Sequence, residues 1–320
     1  MTADPVVLAE VVRSGMVESR HRGSVVALDV DGSIAYELGD PAAPMFPRSA
    51  SKPVQAAAMV GCGLVVDEDL LALAAASHSG EEFHLTGVRR ILGEAGLDES
   101  ALRNTPDWPL GVAAREAAIL RGERPSSLAQ NCSGKHGAMV ATCVARGWPI
   151  ESYLDPEHPL QRAIADTLAG FAGESPAGMA VDGCGAPLIA FTLTGVARMF
   201  RALVLAAPGT PGRQVVDAMQ AHPETVSGTD RDEARLLRGI PGLVAKSGAE
   251  AVFATALDDG RAIAVKIDDG GSRASVVVAA TALRRLGLRA PVLDELATIP
   301  VLGGGRPVGE IRASAGWSTS

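Results

Sequence analysis

Two hairpin-like segments, one near each end of the chain, limit the possible folds more than any other feature of this sequence. Residues 24–30 and 33–38 flank Asp31-Gly32, a dipeptide typical of the tight turn between two antiparallel strands. Residues 251–257 and 261–267 flank Asp258-Asp259-Gly260 in the same way. The segments between these hairpins have mostly helical patterns. We therefore predict an α+β fold, with one antiparallel sheet built from the N- and C-terminal hairpins and with flanking helices.

The remaining elements follow from apolar periodicity and from the signals that start and stop helices. Residues 6–12 are apolar and β-branched, which predicts a first strand. Helices are predicted over residues 54–60, 70–76, 81–95, 113–120, 131–145, 154–173, 192–205, 212–220, 230–237 and 272–286. No internal repeat or linker is visible, so residues 1–313 are expected to form a single domain. Residues 314–320 are expected to form a flexible tail, of the kind that an expression vector adds.

Composition argues against two classes of partner. The chain has 320 residues, of which 47% are hydrophobic and 21% are charged, as in ordered globular proteins. A net charge of -8 and an aromatic content of 3% argue against nucleic acid and against an anionic membrane surface. No apolar run approaches the ~20 residues of a membrane-spanning helix, and the N-terminus lacks the pattern of a signal peptide. We therefore expect a soluble, cytoplasmic protein.

The segment around Ser49 carries the only Ser-x-x-Lys pattern of the sequence, which ends at Lys52. A helical run follows it, so the two side chains are expected on one helix face within reach of each other. A lysine with a lowered pKa can remove the proton of a serine hydroxyl and make it a nucleophile. Free N–H groups at the helix start would stabilise an oxyanion. The alternative is a serine that caps the helix beside a solvated lysine.

Lysine usage supports the catalytic interpretation. Of the 29 basic residues only four are lysines, namely Lys52, Lys135, Lys246 and Lys266, and 25 are arginines. Arginine stays protonated in proteins, whereas a buried lysine can become a neutral base or a ligand. We therefore treat all four lysines as candidate functional residues; the alternative for each is chance retention on the surface.

Three polar segments interrupt the helical patterns, and each has a functional and a structural interpretation. Residues 77–84 hold serines, histidines and acids that suit the edge of a site, but they also suit a helix start. Residues 131–137 open a helix with glycines and polar groups, which suits a ligand site or a capped N-terminus. Cys132 and Lys135 there, with Cys184 in a later turn, are a donor set that zinc accepts. The cysteines are far apart in sequence, so their spacing alone does not show a metal site.

Several of these segments resemble known families. The pattern from Ser49 to Lys52 and Lys246-Ser247-Gly248 resemble elements of the serine β-lactamase and penicillin-binding group, although no Ser-Asp-Asn or Tyr-x-Asn counterpart is found. Six ordered motifs together are similar to the rhizobial-type L-asparaginase II family. They are Arg48-Ser49-Ala50-Ser51-Lys52-Pro53, Ala76-Ser77-His78-Ser79, Asn131-Cys132-Ser133-Gly134-Lys135-His136, Asp182-Gly183-Cys184, Lys246-x-Gly248-Ala249 and Val265-Lys266-Ile267-x-Asp269-Gly270. The resemblance covers nearly the whole chain.

This resemblance implies an amidohydrolase that converts L-asparagine to aspartate and ammonia, on a β-lactamase-like fold and as a homodimer. Ser49 would be the nucleophile with Lys52 as its base, and Ser77 with Lys266 would form a second serine–lysine pair. Which pair acts first is left open.

The same resemblance implies a zinc ion that tunes affinity without being essential for the chemistry. Cys132, Lys135 and Cys184 would hold it. The residues expected to bind substrate are Arg48, His78, Asp182, Lys246 and Gly248.

Other functions fit parts of the same pattern. Within enzymes, the alternatives are a glutaminase, a β-lactam or D-peptide hydrolase, or a thiol enzyme in which Cys132 is the nucleophile with His136 or His78 as base. Outside enzymes, the alternative is a zinc- or amino-acid-binding protein with a degenerate site.

Overall fold

The computed structural model describes residues 6–317 and contains two sheets surrounded by helices. The strands are β1 (Val6–Arg13), β2 (Met16–Leu28), β3 (Ile34–Leu38), β4 (Pro44–Met45), β5 (Gly178–Val181), β6 (Pro187–Thr192), β7 (Leu243–Gly248), β8 (Val252–Leu257), β9 (Ala262–Ile267), β10 (Thr298–Gly303) and β11 (Arg306–Ala313). The helices are α1 (Lys52–Gly61), α2 (Glu68–Ala74), α3 (Glu82–Glu94), α4 (Val112–Leu120), α5 (Ser133–Arg146), α6 (Pro159–Ala172), α7 (Leu193–Val204), α8 (Pro211–Ala221), α9 (Pro223–Val226), α10 (Asp232–Gly239), α11 (Ser275–Arg285) and α12 (Pro291–Leu296).

The large sheet joins the two ends of the chain. Its strand order is β10-β11-β1-β2-β9-β8-β7, and β3 pairs with β2 beside this path. Every pairing in it is antiparallel, including the contact of β2 with β9, which unites the N-terminal and C-terminal hairpins. The predicted α+β class and the predicted antiparallel sheet are confirmed.

Helices α7 and α11 pack on strands β8 and β9 of this sheet, α10 packs on β7, and helices α1, α2, α3, α5 and α6 pack mainly on other helices. Helices α1 and α5 are buried over most of their lengths, including the lysines that they carry. A helix that is buried on all sides normally lacks charge. The two buried lysines therefore mark these helices as part of a site.

Two elements differ from the sequence predictions. The helix predicted over residues 154–173 begins only at Pro159, where His158 caps its first turn. Residues 298–313 form an unpredicted hairpin, β10 and β11.

The tail predicted from residue 314 is ordered as far as the structure describes it. Trp317 is buried, and its indole N–H donates to Leu8 O at 2.9 Å. Residues 318–320 and the first five residues, which include most of the segment examined for a signal peptide, lie outside the described residues. Among the helices described, none is long and apolar enough to cross a membrane.

Candidate active site

A cavity of about 580 Å³ lies where the helical layer meets the edge of the large sheet. Its lining comes from distant parts of the chain and includes Ser49, Ser77, Asn131, Arg231 and Gly248. A volume of several hundred Å³ is typical of small-molecule sites. The cavity therefore brings together the two serines that the sequence singled out.

Ser49 lies on a strained turn that precedes helix α1. Arg48 has a φ of +52°, in the left-handed region that few residues other than glycine adopt. Two contacts hold this conformation: Ser51 Oγ donates to Arg48 O at 2.8 Å, and the Arg48 guanidinium donates to Asp182 Oδ1 at 2.8 Å. Strain of this kind is often kept at functional sites. In this turn Ser49 lines the cavity, and within residues 6–317 no hydrogen bond is made by its hydroxyl.

Gly248 allows the sheet to approach this turn closely. A Cβ atom at this position would lie 2.5 Å from Pro47 O and 3.2 Å from Ala50 N. Any other residue would therefore push the turn that carries Ser49 away from strand β7. Gly248 acts here by its lack of a side chain, and its predicted contact with substrate stays a prediction.

Lys52 is almost fully buried and contacts the second serine. Its Nζ donates to Ala76 O at 2.7 Å and to Ser77 Oγ at 3.0 Å. Across the described part of the chain, no hydrogen bond joins Lys52 Nζ to Ser49 Oγ. Lys52 thus contacts Ser77 directly, whereas Ser49 lies one helical turn before Lys52 in the chain.

Lys246 is the second buried lysine of the site. It is 0% exposed on strand β7, and burial lowers the pKa of its ammonium to about 7. The Glu233 carboxylate, 4.0 Å away, opposes this shift, and the positive charge of Lys52 adds to it. Glu233 also accepts a hydrogen bond from Ser247 Oγ. Lys246 can therefore change its charge near neutral pH.

Lys266 lies elsewhere, which corrects the predicted pairing with Ser77. Lys266 and Gly248 both lie opposite Val252 of strand β8, one on each side of it. Their backbones are therefore roughly 10 Å apart. Lys266 Nζ donates to Glu250 O and to Ile267 O, each at 2.6 Å. Glu250 has a φ of +60°, so Lys266 stabilises a strained turn after strand β7. The lysine whose charge interacts with that of Lys52 is Lys246.

His78 was expected to bind substrate, and the structure buries it completely. Its Nε2 is 2.8 Å from Ser133 Oγ, and its ring stacks on His84 with centroids 5.1 Å apart. Burial lowers its pKa well below the ordinary value, and His84 and Lys52 add to the shift. A side chain with 0% exposure does not reach a ligand in the cavity. His78 instead holds the start of helix α5 against the segment that carries Ser77.

Arg48 and Asp182, also expected to bind substrate, contact each other. Their ion pair is largely shielded, with side-chain exposures of 24% and 14%. It ties the turn of Ser49 to the segment that carries Cys184. Direct contact of either residue with substrate stays a prediction.

The three predicted zinc ligands lie together in a buried cluster. Lys135 Nζ donates to Cys184 Sγ at 3.4 Å, and the side chains of Cys132 and Cys184 pack in one buried cluster. The Cys184 side chain holds the pKa of the Cys132 thiol well below its usual range, and Lys52 and Lys135 contribute. Burial opposes a charge on Lys135, but the two thiols raise its pKa. Thiol sulfurs are ligands that zinc accepts, and Lys135 could join them only after losing its proton.

This cluster depends on Lys135 if it is to hold a metal. Within residues 6–317, no group of three or more histidine, cysteine, aspartate or glutamate side chains is placed to bind a metal ion. Cys132 Sγ contacts Asn131 Oδ1 at 3.2 Å and Cys184, while His136 Nδ1 lies 2.8 Å from the Tyr153 hydroxyl. The cysteine–histidine pair of the thiol-enzyme alternative is therefore not formed in the structure.

Sequence reasoning missed one wall of the cavity, residues 230–233. Asp230, Arg231, Asp232 and Glu233 all line it. In the sequence this run indicates only a helix start with acids in its first turn. The only sign of a site in the sequence was that acidic and basic residues are adjacent at positions 230–233, just before and at the start of a helix.

Comparison with known proteins gives a match to one family. Residues 9–313 match the model of a family described as L-asparaginase II. A comparison with curated protein sequences gave no match.

Solved structures show weaker similarity. A β-lactamase from Mycobacterium bovis is similar at 15% identity and a TM-score of 0.46, over 83% of this chain and 95% of that chain. A Bacillus glutaminase is similar at 12% identity and a TM-score of 0.39, over 77% of this chain and 83% of that chain. A structure titled Mglu in its tris and glutamate form is similar at 18% identity and a TM-score of 0.38, over 88% of this chain and 64% of that chain. At TM-scores below 0.5 these similarities do not bear on function.

Proposed function

Because this chain belongs to the L-asparaginase II family, we propose that it hydrolyses the side-chain amide of L-asparagine to L-aspartate and ammonia through a serine nucleophile. Family membership supports an amidohydrolase; the substrate and the serine–lysine mechanism are our proposal. The observation that carries the mechanism is the buried Lys52 at one cavity that two serines line, hydrogen-bonded to one of them.

Ser49 is the better candidate for the nucleophile. Its hydroxyl is partly exposed to the cavity and is free of hydrogen bonds to the described residues, whereas Ser77 is 5% exposed and bonded to Lys52. The Ala50 N–H is already bonded to Pro47 O, so it is not available to an oxyanion. The N–H of Ser49 itself is the amide nearest to the bond that forms, and we assign it that role.

Lys52 Nζ donates to Ser77 Oγ, and Ser49 lies one helical turn before Lys52, so the proposed proton path runs from Ser49 through Lys52 to Ser77. Ser49 Oγ bonds to the amide carbon and gives its proton to Lys52 Nζ. Ser77 passes its proton to the departing nitrogen and takes the proton that Lys52 donates to it, so the C–N bond breaks, ammonia leaves and Lys52 is neutral again. Water then attacks the ester and gives a proton to Lys52; the ester C–O bond breaks, Lys52 returns the proton to Ser49 Oγ, and aspartate leaves. Lys246 contributes a charge that depends on pH beside Lys52.

The two thiols and the amine of Cys132, Lys135 and Cys184 also fit a zinc ion, and we propose that they hold one. When bound, the ion would supply a positive charge beside the pocket in place of the Lys135 proton. The negative charge of Asp182 raises the pKa of Lys135, and Asp182 also forms an ion pair with Arg48 in the turn of Ser49. Occupancy of this cluster would therefore be coupled to the placement of Ser49.

A panel of substrates tests the proposed function. Ammonia release is expected from L-asparagine, with lower efficiency from L-glutamine, and no turnover is expected of nitrocefin. Ser49→Ala is expected to lower the rate with asparagine by a factor of about 10³ or more. Turnover of nitrocefin, or activity on glutamine alone, would show that another acyl-serine reaction is the correct assignment. Inactivation by iodoacetamide that persists in Ser49→Ala and disappears in Cys132→Ser would favour the thiol enzyme.

Metal analysis tests the zinc proposal separately. Protein loaded with zinc and freed of excess metal is expected to retain about one ion per chain, as three fixed donors predict. Cys184→Ser should lose this ion, and Cys62→Ser, which changes a partly exposed thiol outside the cluster, should keep it. Equal metal content in wild type and Cys184→Ser would contradict the proposal.

A further inference from the structure

The wall of the cavity that the sequence did not predict contains an arginine whose donors are unused. Arg231 lines the cavity, and its Nε is buried without a hydrogen-bond partner. Its only ion pair among the described residues is with Glu233, at 3.8 Å, longer than a hydrogen bond. The side chain is 37% exposed where it lines the cavity, so this guanidinium has hydrogen-bond donors available to a ligand there.

Another arginine of the cavity differs in this respect. Arg273 also lines it, but its Nε donates to His21 Nε2 at 2.9 Å and its Nη2 donates to Ser19 Oγ at 3.1 Å. Arg273 is thus held by the protein. Arg231 is the guanidinium with donors to spare, and its charge is close enough to lower the pKa of Lys246.

An unpaired carboxylate stands next to Arg231. Asp230 lines the same cavity, and within residues 6–317 its side chain makes no hydrogen bond or ion pair. Asp232, on the other side, lies 3.6 Å from Arg235 and is partly neutralised by it. An arginine with one long ion pair and an exposed aspartate without a partner among the described residues are therefore adjacent at the cavity.

The backbone that carries these groups is fixed. Glu81 accepts from Thr229 N at 3.0 Å, from Thr229 Oγ1 at 2.6 Å and from Ser79 Oγ at 2.5 Å. Gly228, at a φ of +147°, passes so close that a Cβ would lie 2.4 Å from Ser79 Oγ. The loop is thereby attached to the segment that holds Ser77, and a rigid loop presents its side chains at a set distance from the reacting serines.

From these observations we propose that Arg231 and Asp230 form the receptor for the α-carboxylate and the α-ammonium of a zwitterionic amino-acid amide. This inference rests on the proposed function, because it names the part of the substrate that does not react. A guanidinium binds a carboxylate in a planar, two-point geometry, and Asp230 binds the ammonium beside it. Such a receptor selects free amino acids over β-lactams and peptides.

Substrates that lack one charge test each residue separately. Arg231→Gln is expected to lower kcat/KM for L-asparagine about 10- to 100-fold, mainly by raising KM. It should leave kcat/KM unchanged for 3-aminopropanamide, which has no carboxylate. Asp230→Asn is expected to lower kcat/KM for L-asparagine by a similar factor. It should leave kcat/KM unchanged for succinamic acid, which has no ammonium. Arg231→Lys should recover part of the loss. Arg284→Gln, an exposed arginine on helix α11 outside the cavity, is the matched control.

Calorimetric binding of L-aspartate separates this inference from the proposed function. If wild type binds L-aspartate and Arg231→Gln does not, the receptor is correct even if asparagine is not hydrolysed. If Arg231→Gln lowers kcat/KM equally for L-asparagine and for 3-aminopropanamide, the receptor proposal is wrong. The arginine would then act through Glu233 and Lys246, not through the carboxylate of the substrate. Failure of wild type to bind L-aspartate or L-asparagine would overturn it as well.

Discussion

Lys246 shows how burial changes the chemistry of a single residue. An ordinary lysine titrates near pH 10.4, whereas the pKa of Lys246 in the folded protein is about 7. Between these values the unfolded chain binds a proton that the folded chain lacks. The free energy of unfolding therefore rises with pH across this window, and at pH values below about 7 the full destabilisation by the buried ammonium is present.

The first prediction compares wild type with Lys246→Met/Glu233→Gln, which removes both buried charges and leaves neither unpaired. The free energy of unfolding of wild type, relative to this variant, should increase by the order of 1–2 kcal/mol between about pH 7 and pH 9. Urea unfolding at the two pH values measures it. A difference that does not change with pH would mean that Lys246 stays protonated in the folded protein.

At the residue scale, sequence identified the lysines but did not place them. The scarcity of lysine singled out Lys52, Lys135 and Lys246, all of which are almost completely buried, and their functional roles stay predictions. It failed for Lys266, which is held by backbone carbonyl groups of a strained turn. Composition shows only that the chain keeps a lysine at a given position, not where its amine lies. Which amine lies beside Lys52 depends on strand order and register, which one sequence does not contain.

At the scale of elements, the site depends on the close contact of strand β7 with the turn before helix α1. The second prediction concerns Gly248→Ala, whose Cβ would lie 2.5 Å from Pro47 O. Displacement of the turn should lower kcat with asparagine about 100-fold, because small misplacements of reacting groups are costly. The loss of stability should be about 1–3 kcal/mol, as for other overpacked positions.

Gly170→Ala is the matched control for this variant. Gly170 lies in helix α6 and has no heavy atom within 4 Å of the added Cβ. It should keep full activity and gain about 0.5–1 kcal/mol of stability. If Gly248→Ala has the same kcat as Gly170→Ala, the contact does not position Ser49.

Elements with strong turn chemistry were predictable, and those with prolines and glycine runs were not. The hairpins around Asp31-Gly32 and Gly260 are both present. The hairpin of β10 and β11 was missed because Pro300, Pro307 and the glycines between them are typical of a loop. The structure accommodates both prolines, since β10 is an edge strand and β11 pairs with β1 only from Gly309.

At the scale of the whole molecule, the fold brings the chain ends together and gathers the site from many separate segments. β11 lies beside β1, and Trp317 covers Leu8, so the last described residues are part of the core. The order of the motifs along the chain was sufficient to identify the family, which residues 9–313 match. It was not sufficient to find Asp230 and Arg231, because their relation to the serines exists only in three dimensions. The expected homodimer stays a prediction.

The most direct test of the central claim is mass spectrometry of protein quenched with acid during turnover of L-asparagine. A covalent adduct with the mass of asparagine less ammonia should appear on the peptide that contains Ser49. Ser77→Ala, which slows proton transfer to the departing nitrogen, should still form this adduct, and Ser49→Ala should not. An adduct on the Ser77 peptide, or on Cys132, would contradict the assignment of Ser49 as the nucleophile.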